Sequence, residues 1–273
     1  MSDPCPRCGG TGFEIVEKDG REFAQACSCR RAAAAGPDAF LDACRIPPRY
    51  ENCTLANFDP VSPAHKAALE KAMQYCNGYP FLGKSEGLGL LLTGTNGVGK
   101  THLAVAVLRE LVLTRGVSGQ FWDLHELMRE IKNSYDAETK TTEYQLLAPI
   151  IEMPVLLLDD LGAWRITDWM NDTLFFILNS RYSARKSTLI TTNFIDVTAK
   201  QAKEAGDSYK REFLVERIGE RLRSRLMEMC LHITLHGDDF RERQQSANRK
   251  AVTGTSERRE DPIPPGPRPR FGG

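Results

Sequence analysis

The sequence predicts a three-layer α/β fold, in which helices cover both faces of a parallel sheet. Between residues 37 and 240, short apolar runs typical of buried strands alternate with longer helical patterns. A glycine-rich turn lies directly between the first of these runs and the helix that follows it. Ligands of such sheets bind at the carboxyl ends of the strands, so this turn marks the expected site.

The elements follow in order along this region. The first long helix begins at Ser62 and Pro63, because serine is a good N-cap and proline suits the first helical position. The next helix covers residues 100–115 and ends at Gly116. The predicted strands are the apolar runs at residues 87–94, 119–124, 154–160, 187–193 and 231–235. The other helical patterns cover residues 124–133, 142–152, 167–185 and 209–229.

Composition is that of an ordinary globular protein, with 41% hydrophobic and 26% charged residues. No apolar run reaches the length of a membrane span, and the N-terminus MSDPCPRCGG lacks the features of a signal peptide. We therefore expect a cytoplasmic protein with reduced cysteines. The formal net charge of +0 argues against a generally basic nucleic-acid binder but allows a local basic groove.

Three regions differ in composition: residues 1–36, residues 37–240, and a polar tail, residues 241–273, that we expect to be disordered. The first contains half of the chain's 8 cysteines, and the spacings CPRC and CSC predict a structural zinc site. A redox dithiol or free thiols are the alternatives. The four predicted zinc ligands are Cys5, Cys8, Cys27 and Cys29. The other cysteines lie in apolar patterns and are predicted core residues: Cys44, Cys53, Cys76 and Cys230.

The turn GTNGVGKT matches the phosphate-binding pattern G-x-x-x-x-G-K-[ST] between a strand and a helix. Its glycines let successive N–H groups face one phosphate chain. Lys100 would reach the β- and γ-phosphates, and the Thr101 hydroxyl would bind Mg²⁺. The alternative is a glycine-rich turn with an unrelated lysine. The predicted ATP-binding residues are Gly94, Thr95, Asn96, Gly97, Val98, Gly99, Lys100, Thr101, His102 and Asp159.

Acidic and amide side chains end two later strands. In LLLDDLG, Asp159 would hold Mg²⁺ and Asp160 would orient or deprotonate an attacking water. Asn193, after STLITT, could reach the γ-phosphate or position that water. The alternatives are two solvated acids and a turn-forming asparagine.

The stretch RIGERLRSRL contains four arginines. If it is helical, Arg217, Arg221 and Arg225 lie one turn apart on one face, where like charges repel. An arginine supplied to the γ-phosphate of a neighbouring subunit would explain such a face, with Arg225 as the main candidate. We favour a solvated face or salt bridges for Arg217 and Arg223. The available partners are Glu212, Glu216 and Glu220.

Four motifs follow one another in a recognisable order: GTNGVGKTHLA, LLLDDLG, STLITTNF and RIGERLRSRLMEMC, after the segment IPPRYENCTLANFD at 46–59. This order resembles the AAA+ ATPases of the DnaC/DnaI helicase-loader and IstB transposition-helper group. The resemblance implies a P-loop NTPase of the ASCE type with five parallel strands. It also implies Walker A at Lys100 and Thr101 and Walker B at Asp159 and Asp160. By the same resemblance, the sensor 1 residue is Asn193, the arginine finger is Arg225, and Arg221 assists it.

Two departures qualify this resemblance. Many AAA+ proteins have glutamate where this chain has Asp160, which suggests slow hydrolysis. No helical lid follows residue 240, and Arg241 is the candidate for a sensor 2 arginine. Both features suggest an ATP-gated switch more than a fast motor.

The expected function is an ATP-dependent helicase loader that binds ATP, Mg²⁺ and single-stranded DNA. It would dock on a DnaB-type replicative helicase through residues 1–36, the region that carries a zinc module in DnaI-like loaders. Its ATPase activity would be slow and stimulated by DNA or by side-by-side self-association. The alternatives are an IstB-like transposition helper acting on duplex DNA and a zinc adaptor with a non-hydrolysing ATP switch.

Overall fold

The computed structural model describes residues 13–18, 21–26, 37–81, 83–133, 143–163, 167–196 and 213–242. Its centre is a parallel five-stranded sheet. The strands are β3 (Gly89–Gly94), β4 (Gly119–Asp123), β5 (Val155–Asp159), β6 (Ser187–Thr192) and β7 (Cys230–Leu235). The helices are α1 (Pro37–Asp42), α2 (Pro63–Gly78), α3 (Lys100–Arg115), α4 (Leu124–Asn133), α5 (Glu143–Glu152), α6 (Asp168–Ser183) and α7 (Leu214–Met229).

The predicted five-stranded parallel sheet is confirmed, with spatial order β4-β5-β6-β3-β7. Strand β6 lies between β3 and β5, so the phosphate-loop strand and the acid-bearing strand are not direct neighbours. Residue Leu189 of β6 pairs with Leu90 on one side and with Leu157 on the other. The carboxyl ends of these three strands therefore meet at one edge of the sheet.

Apolar side chains cover both faces of the sheet, as the three-layer prediction requires. In β3, Leu90 and Leu92 belong to the core under α2 and α3, whereas Leu91 belongs to the core under α4 to α7. This alternation follows from the two-residue period of a strand. Every residue of β3, β5 and β6 is buried, which matches their continuous apolar or β-branched sequences.

Capping residues in the sequence correctly predicted several helix ends. The Ser62 hydroxyl accepts a hydrogen bond from the His65 N–H and caps α2, and α3 ends at Gly116 in the left-handed conformation. The four cysteines assigned to the core are all buried. Burial raises the pKa of the Cys44 thiol to about 11, as expected for an unreactive core residue.

The helix predicted near residues 209–229 is wrong in two respects within the described part, which begins at Phe213 because residues 209–212 lie outside the described residues. Helix α7 begins at Leu214, after an extended Phe213, and Gly219 interrupts it with φ 77 and ψ 162. Glycine accepts this conformation at no steric cost. The interruption separates Arg217 from Arg221 and Arg225, so the three arginines do not share one continuous helical face.

Arg181 of α6 is fully buried and joins three elements. Its guanidinium donates to the Ile150 and Met153 carbonyl oxygens at the end of α5, at 2.8 and 2.6 Å. It also donates to the Ser187 carbonyl at 2.6 Å, where β6 begins. The side chain thus satisfies carbonyls that a helix end would leave without donors.

Near the N-terminus, strands β1 (Phe13–Lys18) and β2 (Arg21–Ala26) form an antiparallel pair, which sequence analysis did not predict. The four predicted zinc ligands lie outside the described residues, as does the tail beyond residue 242. Within the described part, no group of three or more His, Cys, Asp or Glu side chains could hold a metal. No helix in the same part is long and apolar enough to cross a membrane.

Candidate functional site

A cleft of about 850 Å³ opens at the carboxyl edge of the sheet. The phosphate loop after β3, the two acids at the end of β5 and Asn193 after β6 line one side of it. The segment at residues 47–65 lines the other side, and residues after β7 also contribute. The structure thus brings together in one cleft the residues predicted to bind nucleotide and water, except Gly94 and Thr95, which do not line it.

The phosphate loop has the backbone geometry that its glycines predict. Gly97 and Gly99 have φ 72 and 92, and Gly99 is the N-cap of α3. Residues other than glycine rarely adopt these backbone angles. The free N–H groups at the start of α3, with the positive end of its dipole, form a site for an anion.

Lys100 is held inside this loop. Its ammonium donates to the Thr95 carbonyl oxygen at 2.7 Å, and the residue is 5% exposed. Burial lowers the pKa of Lys100 to about 8, an effect that the charges of Asp160 and Asp159 oppose. A bound phosphate would supply the anion that this buried cation lacks.

Asp159 is the centre of a hydrogen-bond network. Its Oδ1 atom accepts from the Thr101 hydroxyl at 2.9 Å and from the Thr191 hydroxyl at 2.6 Å. Burial raises the pKa of Asp159 to about 6, although these two hydrogen bonds favour the ionised form. A threonine hydroxyl beside a carboxylate is an oxygen-donor pair suited to Mg²⁺, so the residues present fit that ion.

Asp160 leaves the strand in the left-handed conformation, with φ 62. Its N–H donates to the Thr191 hydroxyl at 3.0 Å, and its Oδ1 atom accepts from Asn193 Nδ2 at 3.0 Å. The turn directs Asp160 toward Asn193 while Asp159 faces Thr101. The two acids therefore have different environments.

His102, another predicted nucleotide-binding residue, contacts the segment that lines the opposite side of the cleft. His102 Nε2 lies 3.2 Å from the Thr54 carbonyl oxygen and 3.0 Å from Asn57 Oδ1, and its ring packs edge-on against Phe58. Burial lowers the pKa of His102. His102 thus joins the phosphate-loop helix to the segment that forms the opposite wall of the cleft.

The arginines of RIGERLRSRL do not line this cleft. Arg217, Arg221 and Arg225 each lie over an aromatic ring, at 4.5, 3.7 and 4.2 Å from the ring centres. The three rings are those of Phe194, Phe175 and Tyr182, in the same order. Arg223 forms a salt bridge, as we expected, but its partner is Asp196 at 2.6 Å and not one of the three glutamates named from the sequence. Within its own chain, Arg225 pairs with Glu228 at 2.7 Å.

Two contributions at the site, from Thr191 and His65, escaped sequence analysis, and a third, from Arg241, was only partly foreseen. Thr191 joins both acids, but a threonine inside a β-branched strand carries no distinguishing signal. His65 is buried and its Nε2 lies 3.1 Å from the Val98 carbonyl oxygen, so it supports the phosphate loop from α2. Arg241, considered only as a sensor 2 candidate, lines the cleft, and its charge contributes to lowering the pKa of Lys100.

A family model described as IstB-like ATP binding protein matches residues 54–248. The chain belongs to this family. Replicative helicase loader DnaI of Bacillus subtilis (strain 168) is 29% identical over 196 residues, which are 69% of this chain and 58% of DnaI. The chain therefore spans less than two thirds of that relative.

Solved structures agree with this family membership. A DnaC helicase loader structure is 32% identical, with a TM-score of 0.58, covering 69% of this chain and 99% of that chain. AMPPCP-bound DnaA from Aquifex aeolicus, 20% identical with a TM-score of 0.54, shares the fold and covers 77% of this chain and 57% of that chain. The resemblance to the DnaC/DnaI and IstB group is thereby confirmed, as is the AAA+ fold. Membership of a family of ATP-binding proteins implies that the chain binds nucleotide.

Proposed function

We propose that this protein is an ATP-dependent loader of a DnaB-type replicative helicase and acts in the cytoplasm. The observation that carries the proposal is one connected network at the sheet edge, in a chain related to the loaders DnaI and DnaC. Lys100, Thr101 and Asp159 would hold the phosphates and Mg²⁺. Asp160 and Asn193, joined at 3.0 Å, would hold the attacking water.

The chemistry assigned to these residues is phosphoryl transfer to water. Bound Mg²⁺ would neutralise charge that develops on the phosphates. Asp160 would accept a hydrogen bond from the water or take its proton, and Asn193 would fix the direction of the Asp160 carboxylate. Asp159 accepts hydrogen bonds from Thr101 and Thr191. Asp159 would therefore serve the metal ion, and Asp160 would serve the attacking water.

Arg225 would complete the site of a neighbouring subunit, with Arg221 assisting. Both lie on α7, away from the cleft of their own chain, and their guanidinium groups are held against Tyr182 and Phe175. A lone subunit would then bind ATP and hydrolyse it slowly. Single-stranded DNA or the helicase would stimulate turnover by bringing subunits side by side.

Residues 1–36 would dock on the helicase, with zinc bound by the four cysteines. We also propose that residues 37–240 form the ATPase domain and that residues 241–273 are a disordered tail.

A mixing experiment tests the shared site. Arg225→Ala subunits retain the phosphate loop, and Lys100→Ala subunits retain the arginine. Each variant alone should lack stimulated ATPase activity, whereas their mixture should regain part of it. Arg223→Ala is the matched control, because Arg223 is engaged by Asp196 and should not be needed by a neighbour. No recovery in assemblies shown to contain both variants would refute the assignment of Arg225.

An IstB-like transposition helper is the second candidate, favoured by the family model itself. Capture assays with purified DnaB-type helicase and with a transposase, each with and without ATP, separate the two. The loader predicts ATP-dependent capture of the helicase and stimulation of turnover by single-stranded DNA. Capture of the transposase alone, with stimulation by duplex DNA, would replace the loader with the helper.

A further inference from the structure

The residues that follow β7 run beside the phosphate loop. Strands β3 and β7 are paired to their last residues, so the loop after β3 and the segment after β7 leave the sheet side by side. The Phe240 N–H donates to the Gly97 carbonyl oxygen at 3.0 Å, and a Cβ atom at Gly97 would lie 1.8 Å from Asp239 Oδ1. This Oδ1 atom accepts the Arg241 N–H at 2.8 Å and so closes a turn around Phe240. The backbone of Phe240 is therefore fixed relative to the phosphate loop.

The start of α2 contacts the same segment. The Ser62 hydroxyl donates to the His236 carbonyl oxygen at 3.4 Å, just after the end of β7. Val61 directly precedes Ser62, and both Val61 and Phe240 line the cleft. The two side chains therefore lie at the same end of the cleft, where β7 ends.

This end of the cleft is apolar. Val61 is 42% exposed and Phe240 is 40% exposed, and among the described residues they are the only exposed large hydrophobic side chains that line the cleft. Phe58 also lines the cleft and packs on the start of α3, where a Cβ atom at Gly99 would lie 2.9 Å from its ring. An apolar surface thus adjoins the turn that would bind phosphates.

A nucleotide would have a definite direction in this cleft. Asp160 and Asn193, which we propose to hold the attacking water, follow β5 and β6, and both strands lie on one side of β3. In-line attack requires the water to lie beyond the γ-phosphate, so the γ-phosphate faces that side. The ribose and base then extend to the other side of β3, toward the end of β7.

The opposite end of the cleft is less suited to a base. Charged and polar side chains from the end of β4 and the start of α4 line it: Asp123, His125, Glu126 and Arg129. It also has an aromatic residue, Tyr50, which lies near Phe121 of β4. However, the Arg49 guanidinium already lies over the Tyr50 ring, 4.4 Å from its centre.

We propose that Val61 and Phe240 hold the base of the nucleotide, with the Phe240 ring stacked on the base and Val61 in apolar contact with it. Stacking on an aromatic ring accepts any base, because every base has a π-face. Purines should therefore bind more tightly than pyrimidines because of their larger ring area. The proposal deepens the proposed function, since it rests on nucleotide binding in this cleft.

Phe240→Ala tests the base contact when two ligands are compared. Mg·AMPPCP has a base, whereas inorganic tripolyphosphate with Mg²⁺ has only the phosphates. Equilibrium binding of Mg·AMPPCP should weaken about ten-fold in Phe240→Ala, which corresponds to about 1.4 kcal/mol, while the affinity for tripolyphosphate should stay within about two-fold. Phe176→Ala is the matched control, since Phe176 is 49% exposed and does not line the cleft. It should bind both ligands like the natural chain.

Phe240→Trp gives a spectroscopic signature. This variant should keep its affinity for Mg·AMPPCP, because the indole ring can also stack on a base. After subtraction of the natural chain's signal, its fluorescence should be quenched by Mg·AMPPCP and not by tripolyphosphate.

Three results would overturn the assignment and leave the proposed loader function intact. One is equal weakening of both ligands in Phe240→Ala, because Phe240 would then support the phosphate loop and hold no base. Another is unchanged binding of both ligands in Phe240→Ala. The third is a selective loss of Mg·AMPPCP binding in Tyr50→Ala instead, which would place the base at the opposite end. If the natural chain bound neither ligand, the base contact and the proposed function would both be refuted.

Discussion

Replacement of Asp159 by asparagine should stabilise the nucleotide-free protein while removing the proposed Mg²⁺ ligand. Asp159 is 6% exposed, and burial is the main cause that raises its pKa to about 6 from an ordinary value of 3.8. Asparagine has the same shape and keeps the Oδ1 acceptor for Thr101 and Thr191. The substitution therefore removes the buried charge and leaves the hydrogen bonds.

The size and sign of the effect follow from the two pKa values. A group with a raised pKa in the folded state favours folding when it is protonated, and this contribution is lost as the pH rises through the folded pKa. Relative to a carboxyl with an unshifted pKa, Asp159 should lower the free energy of unfolding by about 3 kcal/mol at pH 7 and by about 1 kcal/mol at pH 4.5, with one pKa unit worth about 1.4 kcal/mol. The stabilisation by Asp159→Asn should show the same dependence.

Chemical denaturation at pH 7 and pH 4.5, with and without Mg·ATP, measures this effect. Without ligand, the variant should have the larger free energy of unfolding, and more so at pH 7. Saturating Mg·ATP should reverse the order at pH 7, because only the natural chain binds the ion through a carboxylate. If the ligand-free variant is less stable than the natural chain at pH 7, then the ionised Asp159 carboxylate stabilises the fold, and the reasoning from its raised pKa is refuted.

Three further predictions concern single sites. Asp160→Asn should retain Mg·ATP binding and lose about 10²–10⁴-fold in phosphate release, the usual contribution of a general base; turnover at the natural rate would exclude Asp160 from water activation. Arg181→Met should lower the free energy of unfolding by about 3 kcal/mol, since several buried carbonyls lose their donors; thermal unfolding within a degree of the natural chain would contradict this. Freshly reduced protein should contain one zinc per chain by elemental analysis, and a metal-free result would contradict the assigned ligands, Cys5, Cys8, Cys27 and Cys29.

The fold was predictable because its signals are local. Short apolar or β-branched runs predicted all five strands, and helix ends were correct where a cap was visible, as at Ser62 and Gly116. The start of α7 and its interruption at Gly219 were missed, because the amphipathic pattern continues through them and only the backbone angles reveal the break. A glycine within a helical pattern was the available signal.

The candidate site was only partly predictable, because its hydrogen bonds join side chains of strands that are far apart in the sequence. Motifs in the sequence singled out Lys100, Asp159 and Asn193, which line one cleft, yet nothing in the sequence placed Thr191 between the two acids. The contact between Asp239 and Gly97 depends on the pairing of the last residues of β3 and β7, and a single sequence does not specify that pairing. Such contacts follow from sheet register, and register is a property of the assembled fold.

The contacts of Arg225 within its own chain are compatible with a role in a neighbouring site. Its pair with Glu228 joins residues three apart on one helix, and Glu228 is 54% exposed. Exposed pairs of this kind contribute about 0.2–1 kcal/mol, so a phosphate on another subunit could replace the glutamate at little cost. The Tyr182 ring restricts the guanidinium without neutralising it. Arg225 therefore combines a fixed direction with an exchangeable partner, and this combination is what a shared ATPase site requires of an arginine that stabilises charge only in the transition state.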